Sequence, residues 1–293
     1  RQNPATERLD TMSAAELLRL MSDEDAKVAE AVARVLPAIE RGVAAITVRL
    51  ADGGRLVYLG AGTSGRIAVM EAAEARPTFG VPEGTVIGII AGGDAAVAHG
   101  REGAEDDAEA GATAVRRLEP GRSDVVAGVS ASGRTPFVLG AVEEARRRGA
   151  FTIGVSCDGD APLASVPEVA ITPDVGPELI AGSTRLKAGT AQKLVLNMLT
   201  TVAMIRLGRV HGGLMIDVLL TNEKLRRRAR RIVEQITGHS GPEVDRALET
   251  AGSARIAIVM LARGVDADAA RQLVAGGASL ESLLDSEGGD RHG

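Results

Sequence analysis

The sequence predicts an α/β fold. One sheet domain is expected, a doubly wound, five-stranded parallel sheet flanked by helices, with helices before it and a small helical domain after it. Two observations carry this. Five short runs rich in Val and Ile alternate with longer helical stretches, the pattern of a parallel sheet covered on both faces. Both ends of the chain show helical spacing without such runs. The length of 293 residues, 45% of them apolar, is enough for one large core and a smaller helical unit.

The elements follow in order. Residues 11–51 read as helices, with Ser13 and Ser22 as candidate N-caps and helical apolar spacing through Val28, Val32, Val35 and Leu36. The strand-like runs are RLVYLG (55–60), TVIGIIA (85–91), DVVAGVS (124–130), FTIGVS (151–156) and EVAIT (168–172). Helices are expected at 65–76, 100–118, 135–149 and 184–207, the last capped by Ser183 and Thr184. Beyond Thr221 a connecting helix (221–238) leads into short helices broken at Gly264 and Gly276–Gly277, and the tail EGGDRHG is expected to fray. The expected division is therefore 1–50, 51–220 and 221–293.

Composition excludes several classes. Net charge is −5, and the basic run Arg226 to Arg231 reads as a solvated helix face, so no nucleic-acid partner is expected. With no Trp and only Tyr58, Phe79, Phe137 and Phe151 as aromatics, no stacking platform for bases is expected either. No run approaches the roughly 18 apolar residues that span a membrane. No signal peptide is visible, and the single Cys157, read as a small packed residue, suits a reducing compartment. The expectation is a cytoplasmic protein. His99, His211, His239 and His292 lack metal-ligand spacing, so neither metal nor cofactor is expected.

Ligands of such sheets bind beyond the carboxyl ends of the strands. The first strand runs into GAGTSGR (60–66), where Gly60, Gly62 and Gly65 have the spacing G-x-G-x-x-G. Such glycines bring the backbone close to an anion or a sugar at a helix start. Thr63 and Ser64 offer hydroxyls to a sugar, although Ser64 reads equally as an N-cap. A dinucleotide would require an acid at the end of the second strand, and Asp94 is a late candidate. The third strand runs into SASGRTP (130–136), where Ser130, Ser132, Gly133 and Thr135 form a turn suited to a phosphate without lysine or metal.

This pair of loops resembles a sugar isomerase (SIS) domain, in which the second loop holds the phosphate and the first meets the sugar. Three longer segments, EAAEARPTFG (71–80), REGAEDDAEAG (101–111) and VGPELIAGSTRLKAGTAQKLVLNML (175–199), with MIDVLLTNEKL (215–225), are similar to the N-acetylmuramic acid 6-phosphate etherases. One departure is Ala75–Arg76, where that family usually has Cys-Pro. The resemblance implies removal of D-lactate from carbon 3 of an open-chain sugar phosphate, followed by addition of water. It implies Glu74 as the acid and Glu105 as the base, with no metal, because the aldehyde acidifies carbon 2. Helix position agrees with those roles, since Pro77 is expected to end a helix just after Glu74 and Glu105 is expected in the first turns of the next.

Glu178 is a rival acid–base candidate and, with Ser183 and Lys187, a candidate substrate-binding residue. Lys187 reads equally as a cover for a helix face. Asp106 and Asp107 are read as helix-start charges, Glu71 and Glu109 as solvated, and His99 as a surface loop residue. If 65–75 is one helix, Glu74 lies about 13–15 Å from the glycine loop, so either that helix breaks early or Glu74 reaches a site on a partner subunit, and the second is expected. A homodimer with active sites near its interface is therefore expected. The alternatives are an aldose–ketose isomerase and a non-catalytic sugar-phosphate sensor like the glucokinase regulatory proteins.

Overall fold

The computed structural model describes residues 2–276 and 280–285. Two helices lead, α1 (Ala14–Ala33) and α2 (Leu36–Ala51). They are followed by β1 (Leu56–Gly60), α3 (Gly62–Phe79), β2 (Val86–Ile90), α4 (Ala95–Ala98) and α5 (Ala108–Leu118). Next come β3 (Val125–Val129), α6 (Pro136–Arg147), β4 (Phe151–Val155), β5 (Val169–Ile171) and α7 (Lys187–Arg206). The chain closes with α8 (Glu223–Thr237), α9 (Pro242–Ala251), α10 (Ala254–Arg263), α11 (Ala267–Ala275) and α12 (Leu280–Asp285). The residues divide into two compact units, 1–73 with 84–203, and 74–83 with 204–293.

The first unit holds the sheet. All pairings are parallel and the order is β2-β1-β3-β4-β5. The strands alternate between two cores, which is what a doubly wound sheet requires. Leu56 and Tyr58 of β1 face a cluster with Val28, Ile46, Ala68 and Leu196, supplied by α1, α2, α3 and α7. Val57 and Leu59 face the other side, against Val115, Val138 and Val142 of α5 and α6. Tyr58 is fully buried, and its hydroxyl meets Thr200 Oγ1 at 2.8 Å. The second unit is helical, with a core of Ile216, Ile232, Val233, Val244 and Ile258.

Ser13 caps α1 as expected, forming a capping box with Glu16, whose carboxylate accepts from Ser13 N at 2.8 Å. Ser22 caps nothing, because α1 runs through it unbroken to Ala33. Other helix boundaries also differ from expectation, among them the start of α3 at Gly62 rather than 65. Helix α3 does not stop at Pro77. It continues to Phe79 and ends where Gly80, at φ +62°, donates its N–H to Arg76 O. So near its end the missing proline N–H removes one hydrogen bond without breaking the helix. Helix α5 starts at Ala108 rather than near 100, because Asp107 is its N-cap, accepting from Ala110 N at 2.8 Å. Helix α7 starts at Lys187, three residues later than expected. Gly276 follows α11 as expected, whereas Gly277, the tail and His292 lie outside the described residues.

Candidate active site

In this sheet the switch point lies between β1 and β3, because β2 lies to one side of β1 and β3 to the other. The two loops singled out in the sequence follow these two strands. Gly60 and Val129 are register partners, so the loops leave the sheet side by side.

In the first loop the three glycines do different work. A Cβ on Gly60 would lie 2.7 Å from Gly65 N, and one on Gly65 would lie 2.5 Å from Ile90 Cγ1, so both allow close helix–strand packing. Gly62 instead takes φ +53° with open space around it. Helix α3 begins there, and the N–H groups of Gly62, Thr63 and Ser64 find no acceptor among the described residues. The N-cap reading of Ser64 is overturned. Its hydroxyl is buried and donates to Gln192 Oε1 at 2.9 Å. Thr63 turns its methyl group toward Gly189 of α7.

The second loop gathers hydroxyls. Ser130 Oγ lies 2.8 Å from Thr135 Oγ1 and 3.4 Å from Ser132 Oγ, and it accepts from Gly133 N at 3.0 Å. Gly133 takes φ +65°, and a Cβ there would meet Ala161 Cβ at 2.6 Å. The N–H groups of Ala131, Ser132 and Thr135 have no acceptor among the described residues. Unpaired amides at the start of α6, surrounded by hydroxyls, suit an anion with several oxygens.

Glu105 lies in the loop before α5, not in its first turns. Its carbonyl accepts from Phe137 N at 3.0 Å, which ties this loop to the first turn of α6, directly after the Ser130 loop. The Glu105 side chain is exposed and lines a cavity of about 270 Å³ together with Gly62, Arg66 and Arg101. The fold thus brings Gly62, Glu105 and the Ser130 loop to one end of the sheet. Glu74 is exposed on α3, twelve residues after Gly62.

The glucokinase regulatory protein N-terminal SIS domain model matches residues 38–146. The N-acetylmuramic acid 6-phosphate etherase of Rubrobacter xylanophilus is 53% identical, over 97% of this chain and 94% of its own. The chain belongs to the N-acetylmuramic acid 6-phosphate etherase family. The Yersinia pestis etherase is 52% identical over 92% of both chains. Among solved structures, the phosphoheptose isomerase of Francisella tularensis superposes with a TM-score of 0.54 at 20% identity, covering 66% of this chain and 100% of its own. That of Neisseria gonorrhoeae gives 0.51 at 20%, covering 65% and 98%. Similarity at this level shows the shared SIS fold.

Within this etherase-family chain, the remaining candidates are engaged in holding α7. Both oxygens of the buried Glu178 carboxylate accept backbone N–H bonds, from Lys187 and Ala188, each at 3.0 Å. Glu178 is therefore the cap that Ser183 and Thr184 were expected to provide. Lys187 is buried and its ammonium pairs with Glu24 of α1, so it does not cover an exposed helix face. Burial raises the Glu24 carboxyl, but its bonds to Lys187 and Lys27 outweigh this and hold it below the usual range. Glu71 is not solvated; it is buried and accepts from Asn197 Nδ2. Cys157 packs partly against the core, and burial, helped by the charges of Glu178 and Asp174, pushes its thiol up to about 12. Sequence reasoning missed Gln192, Glu24 and Arg101. Arg101 and Gln192 stood in segments that hold named candidates, whereas Glu24 stood in none. No helix among the described residues is long and apolar enough to cross a membrane, and none of their His, Cys, Asp and Glu side chains group to hold a metal ion.

Proposed function

We propose that this chain cleaves the D-lactyl ether of N-acetylmuramic acid 6-phosphate, giving N-acetylglucosamine 6-phosphate and D-lactate. The observation that carries the reading is 52–53% identity to etherases over nearly the whole chain. The Ser130 loop, with Ser132, Gly133 and Thr135, holds the phosphate; Gly62, Thr63 and Ser64 meet the sugar. Glu178 and Lys187 support the site indirectly, by holding the start of α7, whose Gly189 lies against Thr63, and Ser183 just ahead of that helix contacts the sugar.

Glu105 takes the proton on carbon 2, which the carbon-1 aldehyde acidifies. Glu74 protonates the ether oxygen as the carbon 3–oxygen bond breaks, and D-lactate leaves. Water then adds to carbon 3 of the unsaturated aldehyde, losing a proton to one carboxylate while carbon 2 regains one from the other. Helix α3 carries Glu74 about 18 Å along its axis from Gly62 at 1.5 Å per residue. This supports a homodimer in which Glu74 serves the partner's site. A reducing, cytoplasmic setting and a role in recycling cell-wall amino sugars complete the proposal.

The test is D-lactate released from N-acetylmuramic acid 6-phosphate by the wild type, Glu105→Gln and Glu74→Gln. Loss of a general acid or base costs about 10²–10⁴-fold, so release should collapse in both variants with folding intact. The family model over residues 38–146 favours a sugar-phosphate sensor as the second reading. A wild type that releases no lactate, yet is protected from heating by a sugar phosphate, would establish that reading instead.

A further inference from the structure

The substrate proposed above carries two anionic groups: the phosphate, and the carboxylate of the lactyl group that departs from carbon 3. The Ser130 loop accounts for one. The cavity beside Glu105 contains two guanidinium groups, and they are not equivalent. Arg66 is committed to the fold, since its Nε donates to Val97 O at 2.8 Å and its Nη2 to Ala96 O at 3.0 Å, pinning the end of α4. Among the described residues the Arg101 side chain makes a single hydrogen bond, from Nη1 to Gly92 O at 3.3 Å. It is exposed, lines the same cavity as Gly62 and Glu105, and has no carboxylate within 4.0 Å among the described residues.

We propose that Arg101 binds the carboxylate of the lactyl group, making it the residue that selects a lactyl ether over an uncharged one. The inference rests on the etherase reading. A base that removes the carbon-2 proton must sit close to carbon 3, so a group attached there lies beside Glu105, four residues along the chain from Arg101. With Nη1 tethered to Gly92 O, the Nε and Nη2 edge remains available, and a guanidinium edge of that kind matches a carboxylate with two parallel N–H donors. The carboxylate is present in both ground and transition states, so the contact acts chiefly on KM.

The test compares N-acetylmuramic acid 6-phosphate with its lactyl carboxamide, reading the common product N-acetylglucosamine 6-phosphate. The wild type should favour the acid by about 10–100-fold in kcat/KM, the range for a charge-assisted pair. Arg101→Gln, with an unchanged thermal midpoint, should lose that preference through KM, and inhibition by added D-lactate should weaken in parallel. Arg101→Lys should recover part of both. A wild type that handles acid and amide alike overturns the proposal without need of any variant, as does an Arg101→Gln enzyme with the wild-type ratio. A wild type that forms product from neither compound overturns the etherase reading itself, and this inference with it.

Discussion

Asp124 shows what a single buried carboxylate contributes at the end of the sheet opposite the site, where it precedes β3 and meets Arg55 ahead of β1. Its Oδ1 accepts from Arg55 N and Nε, and its Oδ2 from Arg55 Nη2 and Gly121 N, all between 2.9 and 3.0 Å. Burial raises this carboxyl, but the guanidinium and the two backbone donors outweigh burial and leave it below the ordinary 3.8. A depressed carboxyl contributes stability that is fully present above its unfolded value. That stability is lost as pH falls through the folded one, here in the region below about pH 4. In Asp124→Asn one oxygen becomes an NH₂ facing donors, so the unfolding free energy at pH 7 should fall by about 1–3 kcal/mol. The acid limb of a urea-midpoint titration should also flatten. A variant with the wild-type midpoint and limb would show that the pair contributes nothing. At this scale the loops were legible and their supports were not. Gly62, Ser130 and Gly133 announce themselves because a close turn needs particular residues within a few positions. The Ser64–Gln192 and Glu24–Lys187 contacts join residues 128 and 163 positions apart, and no local pattern encodes such a pairing.

At the level of elements, the five strands were readable because a doubly covered strand must be apolar along its length, and each lies within a residue or so of its sequence-based bounds. Helix starts were less legible, because tertiary contacts set them. The clearest case is α7, whose first turn is capped by Glu178 from nine residues upstream. A carboxylate at a helix N-terminus also meets the favourable end of the dipole. Glu178→Ala should lower stability by about 0.5–2 kcal/mol, the cost of losing an N-cap. Glu178→Gln, which keeps one acceptor, should cost less. Because both oxygens are occupied by α7, KM at a temperature where the variants are folded should move little. A large rise in KM with an unchanged thermal midpoint would make Glu178 a ligand for substrate rather than a cap.

On the scale of the whole molecule, the proposed roles of Glu74 and Glu105 predict which chain supplies each carboxyl. Glu105 lines the cavity with Gly62, whereas Glu74 sits far along α3. A two-fold dimer in which Glu74 crosses to the partner's site has a consequence that one-chain sites lack. Glu74→Gln and Glu105→Gln are each expected to be inactive alone. In a mixed dimer of the two, one site receives both substitutions and the other receives neither. Random exchange makes about half the dimers mixed, so refolding an equimolar mixture should restore roughly a quarter of wild-type lactate release. Sites built from one chain would restore none, because every site would retain one substitution. Sedimentation of the wild type fixes whether a dimer exists to exchange. Activity regained only after subunits have been allowed to mix would then assign Glu74 to the neighbouring subunit, and its absence from a mixture shown to contain mixed dimers would return both carboxyls to one chain.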